Sequence, residues 1–188
     1  MIIAICLSGL LLFIAGYIIS CYNNLVIMDQ RIKQSFADID VQLKQRHNLI
    51  PNLVETVKGY ATHENSTLED VMNARSGAVN PRQGTVEQAL SENMLTQALG
   101  RLFAVTEAYP DLKANINFQR LHDELSDIEN KIAASRRYYN NTVSEFNSYL
   151  DLFPINLFSR GLGFHTREFF DLGDQRATFT VAPTVKFN

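Results

Sequence analysis

Apolar and small side chains run without a single charge from Ile2 to Cys21, and the first charged side chain is Asp29. At about 1.5 Å per residue that stretch forms a helix of roughly 30 Å, the thickness of a bilayer's hydrocarbon core. It predicts a membrane anchor over residues 1–24. From Leu25 the pattern changes. Leu25, Met28, Ile32, Phe36, Ile39, Leu43, Ile50, Val54, Val57 and Ala61 recur at spacings of three and four, one apolar stripe on an otherwise polar helix. No breaker separates anchor from stripe, so the two are expected to form one long helix. Asp29/Lys33 and Asp40/Lys44 lie four apart with the acid first, the favourable order on an exposed face. Pro51 removes a backbone donor inside the stripe and predicts a kink or break near Asn48.

The period returns after a weak point at His63-Glu64-Asn65, where Ser66 can cap a short continuation carrying Leu68, Val71 and Met72. Ser76 to Gly84, with Pro81 at its centre, reads as a loop, and Thr85 as the cap of the next helix. That helix is expected to face inward through Val86, Leu90, Met94, Ala98, Leu102 and Val105, with Leu95, Leu99 and Phe103 beside them, and to end at Pro110. After a turn at Asp111 a long helix carries Phe118, Leu121, Leu125, Ile128, Ile132, Tyr139, Val143, Phe146 and Leu150, and Pro154 stops it. The last stretch is rich in aromatics, among them Phe153, Phe158, Phe164, Phe169, Phe170, Phe179 and Phe187. It is broken by Gly161, Gly163 and Gly173, with a hint of strand over residues 177–181. It is too apolar to be a free tail and either packs on the bundle or docks on another chain. The expected fold is all-α: a transmembrane helix over 1–24, an antiparallel bundle of three to four long helices over 25–153, and an aromatic-rich C-terminal extension over 154–188.

Composition narrows the function. Seventeen basic and 20 acidic residues are intermixed for a net charge of -3, with no basic stripe, which argues against nucleic acid as a partner. Both cysteines, Cys6 and Cys21, lie in the apolar stretch, so the soluble part has no disulfide and no thiolate nucleophile. A secretory signal would carry a basic n-region; here Met1 stands alone before the apolar run, which favours an uncut span. Ile18-Ile19-Ser20-Cys21 also fits the small-residue-then-Cys pattern at which bacterial lipoproteins are cut, giving an alternative anchor lipidated at Cys21. Arg31 and Lys33 follow the span and no basic residue precedes it, which favours an outside N-terminus and a cytoplasmic domain.

The chemistry is sparse. A bundle di-iron site needs a Glu three residues before each of two ligating histidines, and the residues three before His47, His63, His122 and His165 are Lys44, Tyr60, Gln119 and Leu162. His63-Glu64 is not followed by the second histidine of a zinc-protease motif. Gly77 and Gly84 lack the Lys-Ser/Thr of a phosphate loop. His122-Asp123-Glu124 reads as a solvated helix face before it reads as a metal site. His47, Asn48 and Asn52 around Pro51 are either a polar layer for a partner or groups that satisfy carbonyls freed by the proline. No catalytic, cofactor-binding or metal residue and no small-molecule substrate is expected.

Three blocks resemble the LemA family across essentially the whole chain: Asp38 to Ala61 with His63-Glu64; Leu102 to Asn115 with Asn117-Phe118; and Ser135-Arg136-Arg137-Tyr138-Tyr139-Asn140 with Tyr149, Phe153-Pro154, Asn156 and Gly163-Phe164. The Tyr22-Asn23-Asn24-Leu25-Val26 junction fits too. The resemblance implies a bacterial inner-membrane protein with an N-terminal span, a helical bundle and no established enzymatic activity. Some relatives accompany membrane zinc proteases, and one branch helps build magnetosome membranes. The expected function is a non-enzymatic, self-associating scaffold or adaptor, working with a membrane protease in envelope quality control; the alternative is a membrane-organising oligomer. Phe164, Phe169, Phe170, Tyr138 and Tyr139 are the expected contact residues for a second copy or a partner.

Overall fold

The computed structural model describes residues 1–61, 63–79 and 85–170. The strand expected over 177–181, Phe179, Phe187, Gly173, Pro81 and the capping side chain of Thr85 lie outside the described residues. Among the described residues five α-helices follow one another: α1 (Ile2–Lys58), α2 (Asn65–Val79), α3 (Thr85–Thr106), the one-turn α4 (Pro110–Lys113) and α5 (Ile116–Asp151), then a 3-10 turn at Ile155–Leu157. Among the described residues there is no strand. The chain divides into two compact units, one of residues 1–38 with 137–167, the other of residues 39–136 with those from 168 onward.

In the first unit the described side chains from Met1 to Ser20 are all exposed, and burial begins at Cys21. Leu25, Ile32 and Ser35 on α1 face Tyr139, Val143, Phe146 and Leu150 on α5. Arg31 lies near Glu145, Ser35 bonds Thr142, and the Phe36 ring meets Tyr139 edge-on, so the two helices run antiparallel.

The second unit is an up-down-up-down four-helix bundle. Arg75 of α2 reaches back to His47 of α1, Arg101 of α3 to Asp70 of α2, and Asp40 and Arg46 of α1 meet Gln88 and Glu92 in parallel order on α3. Its core joins Ile50, Leu53 and Val57, Leu68 and Val71, Leu95, Leu99 and Leu102, and Leu112, Phe118 and Leu125. Asn115 caps α5: its side-chain oxygen accepts the amides of Asn117 at 2.9 Å and Phe118 at 3.1 Å. Its amide nitrogen donates to the Tyr60 hydroxyl at 2.8 Å, tying that cap to the end of α1.

Four expectations change. The helix does not break at Pro51, which lies inside α1. Pro51 has no N–H for the carbonyl four residues back, that of His47, and Arg75 Nε donates to that oxygen instead at 2.7 Å. An external donor thus replaces the lost rung and the helix continues. The expected loop at 76–84 begins late, because Ser76 to Val79 form the last turn of α2. Ser66 lies inside the first turn of α2, not at its cap, since the helix starts at Asn65. The third element, α3, is rotated from its expected face: Met94 is 62% exposed, and Ala89, Glu92, Leu95, Ala98 and Leu102 point inward.

Candidate functional site

Two places in the molecule hold side chains in arrangements that generic packing does not require. The first is a buried ionic cluster inside the four-helix unit. Arg46 is fully buried, as is Glu92. One arm of the guanidinium bonds a Glu92 carboxylate oxygen; the other bonds Glu129 and, at 2.9 Å, the Thr96 hydroxyl. The planar fork of arginine suits this, because it offers parallel donors to two acceptors where lysine presents a point charge. His47 Nε2 stands 2.9 Å from the second Glu92 oxygen, too poorly aligned for a hydrogen bond. Arg136 stands over the Phe170 ring at 4.9 Å. Burial pushes the Arg136 guanidinium down from its ordinary value. The charge of Arg46 pushes the same way, while Glu92 and Glu129 oppose it. Two arginines and two glutamates balance, so the cluster can sit inside a bundle without a large net charge. Every carboxylate here has a cation beside it, which makes the cluster a means of fixing helix register.

The second place is where α1 leaves its apolar stretch. After α5 the chain turns through residues 152–163 and comes back along α1. Gly163, at φ 84°, occupies the left-handed region that side chains disfavour, and it completes the reversal. Phe164 then lies edge-on to Tyr22 at 5.8 Å between ring centres and to Phe146 at 6.4 Å. Arg167 closes the segment. Its backbone N–H donates to Asn147 Oδ1 at 2.8 Å, its carbonyl accepts from Asn147 Nδ2 at 2.9 Å, and its guanidinium reaches Asp29 at 2.6 Å. Asp29 also pairs with Lys33 at 2.9 Å. Burial alone would raise the Asp29 carboxyl, but the hydrogen bonds and charges of Lys33 and Arg167 outweigh it and hold the group below the usual carboxylate range.

That direction gives a pH dependence. A carboxyl whose folded pKa lies below its unfolded value binds fewer protons when folded. Its contribution is present above the unfolded value and is lost as pH falls through the folded one. The 164–167 latch should therefore weaken below about pH 4. Asp29→Asn should remove that part of the acid slope in thermal unfolding followed by near-ultraviolet circular dichroism. An unchanged slope would mean that Asp29 does not stabilise the fold.

The five expected contact residues divide by burial. Tyr139 is buried on Phe36, Phe170 is buried under Arg136, and Phe164 is half-buried between Tyr22 and Phe146. Tyr138 is 53% exposed and Phe169 is 45% exposed. Of the residues around Pro51, His47 turns inward to Glu92, while Asn48 and Asn52 are exposed. His122 is half-exposed, its ring edge-on to Phe103 at 4.8 Å. Among the described residues no group of three or more His, Cys, Asp or Glu is arranged to hold a metal ion. Sequence reasoning missed Arg46, Glu92 and Glu129 as a cluster, and it missed the latch of Asp29, Asn147 and Arg167. The available signal was Glu92 in the middle of the three-residue spacing Ala89, Glu92, Leu95, Ala98.

A family model described as LemA family matches residues 35–187. The chain is 25% identical over 174 residues to Magnetosome protein MamQ 2 of Paramagnetospirillum magneticum, covering 79% of this chain and 64% of that protein. It is 24% identical over 193 residues to Magnetosome protein MamQ of Magnetospirillum gryphiswaldense, covering 89% and 71%. It is 26% identical over 152 residues to Protein LemA of Metamycoplasma hominis, covering 81% and 69%. The chain thus spans under two thirds of the length of the first of these relatives.

Proposed function

The chain belongs to the LemA family, and from that premise we propose that it is a non-enzymatic, membrane-anchored scaffold whose bundle serves as a contact surface held at the bilayer. The observation that carries this reading is the continuity of α1. A single helix, Ile2–Lys58, has a stretch long and apolar enough to cross a membrane and then contributes a wall to each of the two packed units. Anchor and bundle share one helical backbone with no linker between them. Exposed Ile, Leu and Phe side chains over residues 2–14 need an apolar solvent, and lipid supplies it.

In this reading the span stays uncut, lies in the bacterial inner membrane and holds the bundle on the cytoplasmic side. The scaffold self-associates and engages a membrane-protein partner, such as a membrane protease, through exposed aromatics including Tyr138 and Phe169. The names of the relatives favour a second reading, since two of them are magnetosome proteins. An oligomer of this chain would then organise a membrane.

Removing residues 2–21 should move the protein from the carbonate-resistant membrane pellet to the soluble fraction while leaving its helicity intact. If the shortened chain stays in the pellet, the anchor lies elsewhere. Crosslinking in native membranes followed by mass spectrometry then reads the partner. Crosslinks to further copies of this chain alone would favour the membrane-organising oligomer over the adaptor.

A further inference from the structure

We propose that the turn after α5, residues 152–162, is a second membrane contact, an apolar wedge seated in the boundary between headgroups and acyl chains beside the α1 span. The inference rests on the reading of residues 2–21 as that span, and it adds a surface which that reading does not contain. The argument is one of level and of exposure. Arg31 faces Glu145, Ser35 faces Thr142 and Phe36 faces Tyr139, so one step forward on α1 is one step back on α5. Counting along that register brings Asp151, the last residue of α5, level with Leu25. The turn that follows extends toward the apolar stretch, and Phe164 at its far side meets Tyr22, one residue beyond Cys21. A run of 20 helical residues already spans roughly 30 Å of hydrocarbon. Residues near Tyr22 therefore stand at headgroup depth, and the turn stands with them.

The turn's side chains sort by face. Ile155 and Ser159 are buried and root it in the unit. Leu152, Phe153 and Leu157 point outward at 55%, 80% and 73% exposure, with Leu162 at 39%. Bulky apolar groups clustered on one short turn are what an interfacial anchor buries, and Arg160, exposed on the same turn, suits an anionic headgroup. The occupant is lipid because the turn stands level with the end of the apolar stretch, which lipid covers and whose last side chains include the exposed Ile18 and Ile19. A wedge beside a span also fixes the tilt of the unit that carries both, a constraint a lone span lacks.

The chain contains no tryptophan, so single Trp variants of the full-length protein report depth in vesicles of phosphatidylcholine and phosphatidylglycerol. Phe13→Trp probes the span, Phe153→Trp the wedge and Tyr138→Trp the bundle wall away from the membrane. Lipids brominated deep in the acyl chain should quench Phe13→Trp. Lipids brominated near the headgroup should quench Phe153→Trp and leave Tyr138→Trp bright, and Phe153→Trp should emit to the blue of Tyr138→Trp. Quenching of Phe13→Trp with none of Phe153→Trp overturns the wedge and leaves the span standing. A blue-shifted but unquenched Phe153→Trp also overturns it, because protein, a second copy or another chain, then covers the turn. If Phe13→Trp itself is unquenched, both the span and the wedge fall.

Discussion

Arg46→Ala should destabilise the four-helix unit by about 3–5 kcal/mol, the range for removing one partner of a buried ion pair. Glu92 is fully buried and loses the cation it is hydrogen-bonded to. His47 faces the other carboxylate oxygen but without hydrogen-bond alignment, and its imidazole helps only when protonated. Glu129, with 37% of its side chain exposed, can turn to water and should add little. The loss is therefore mainly that of one buried carboxylate stripped of its hydrogen-bonded partner, with Arg136 left as the nearby charge of the cluster. For a chain of this length it corresponds to a fall in Tm of roughly 6–20 °C. Arg46→Lys should fall between, because an ammonium cannot bridge Glu92 and Glu129 in one plane. The pair Arg46→Met with Glu92→Leu should recover most of the loss, since apolar groups of similar volume replace buried ion pairs at little or no net cost. Thermal unfolding by circular dichroism on the full chain in detergent measures all three. A loss below about 1 kcal/mol for Arg46→Ala would mean that water reaches Glu92 and that the pair behaves as a surface salt bridge.

Why α1 and α5 could be read from the chain while this cluster could not is a matter of what apolar periodicity records. On α5 the expected positions Phe118, Leu125, Ile128, Ile132, Tyr139, Val143, Phe146 and Leu150 are buried and Leu121 is half-buried, because apolar side chains dominate the seam, even with Thr142 buried among them on Ser35. On α1 the stripe holds through both units too, although Asp29, Ser35, Arg46 and His47 are buried beside it. On α3 the inward face includes Glu92. A carboxylate enters a core only when a partner neutralises it, and that partner, Arg46, is 46 residues away in sequence. An apolar-only stripe passes over Glu92 and runs instead through Val86, Leu90 and Met94. Pro51 is the same kind of case: a local rule predicts a break, and Arg75 from another helix restores the missing bond. The long apolar helix was legible because length and apolarity are local quantities. The turn beyond α5 has no period, so its outward Phe153 and Leu157 carry no sequence signal that separates them from the buried Ile155 between them.

Phe146→Ala carries the second large effect, on the unit of residues 1–38 with 137–167. The ring is fully buried, between the α1–α5 seam and the returning segment at Phe164. Truncating a buried phenylalanine to alanine costs about 3–5 kcal/mol through lost transfer energy and the cavity left behind. Here the loss has a local readout as well. Phe164 stands on Phe146 and Tyr22, and Arg167, three residues on, is held by the neighbouring Asn147 and by Asp29. With the ring gone, the aromatic step that guides the chain from Gly163 to the latch is lost. Residues 160–167 should then open more often, and trypsin should cut after Arg160 and Arg167 faster than in the parent chain at neutral pH. Phe146→Leu keeps most of the volume and should cost less, with cleavage near the parent rate. If Phe146→Ala lowers Tm but leaves both cleavage rates unchanged, the polar latch alone holds the segment. If it changes neither, Phe146 is not part of the packed seam.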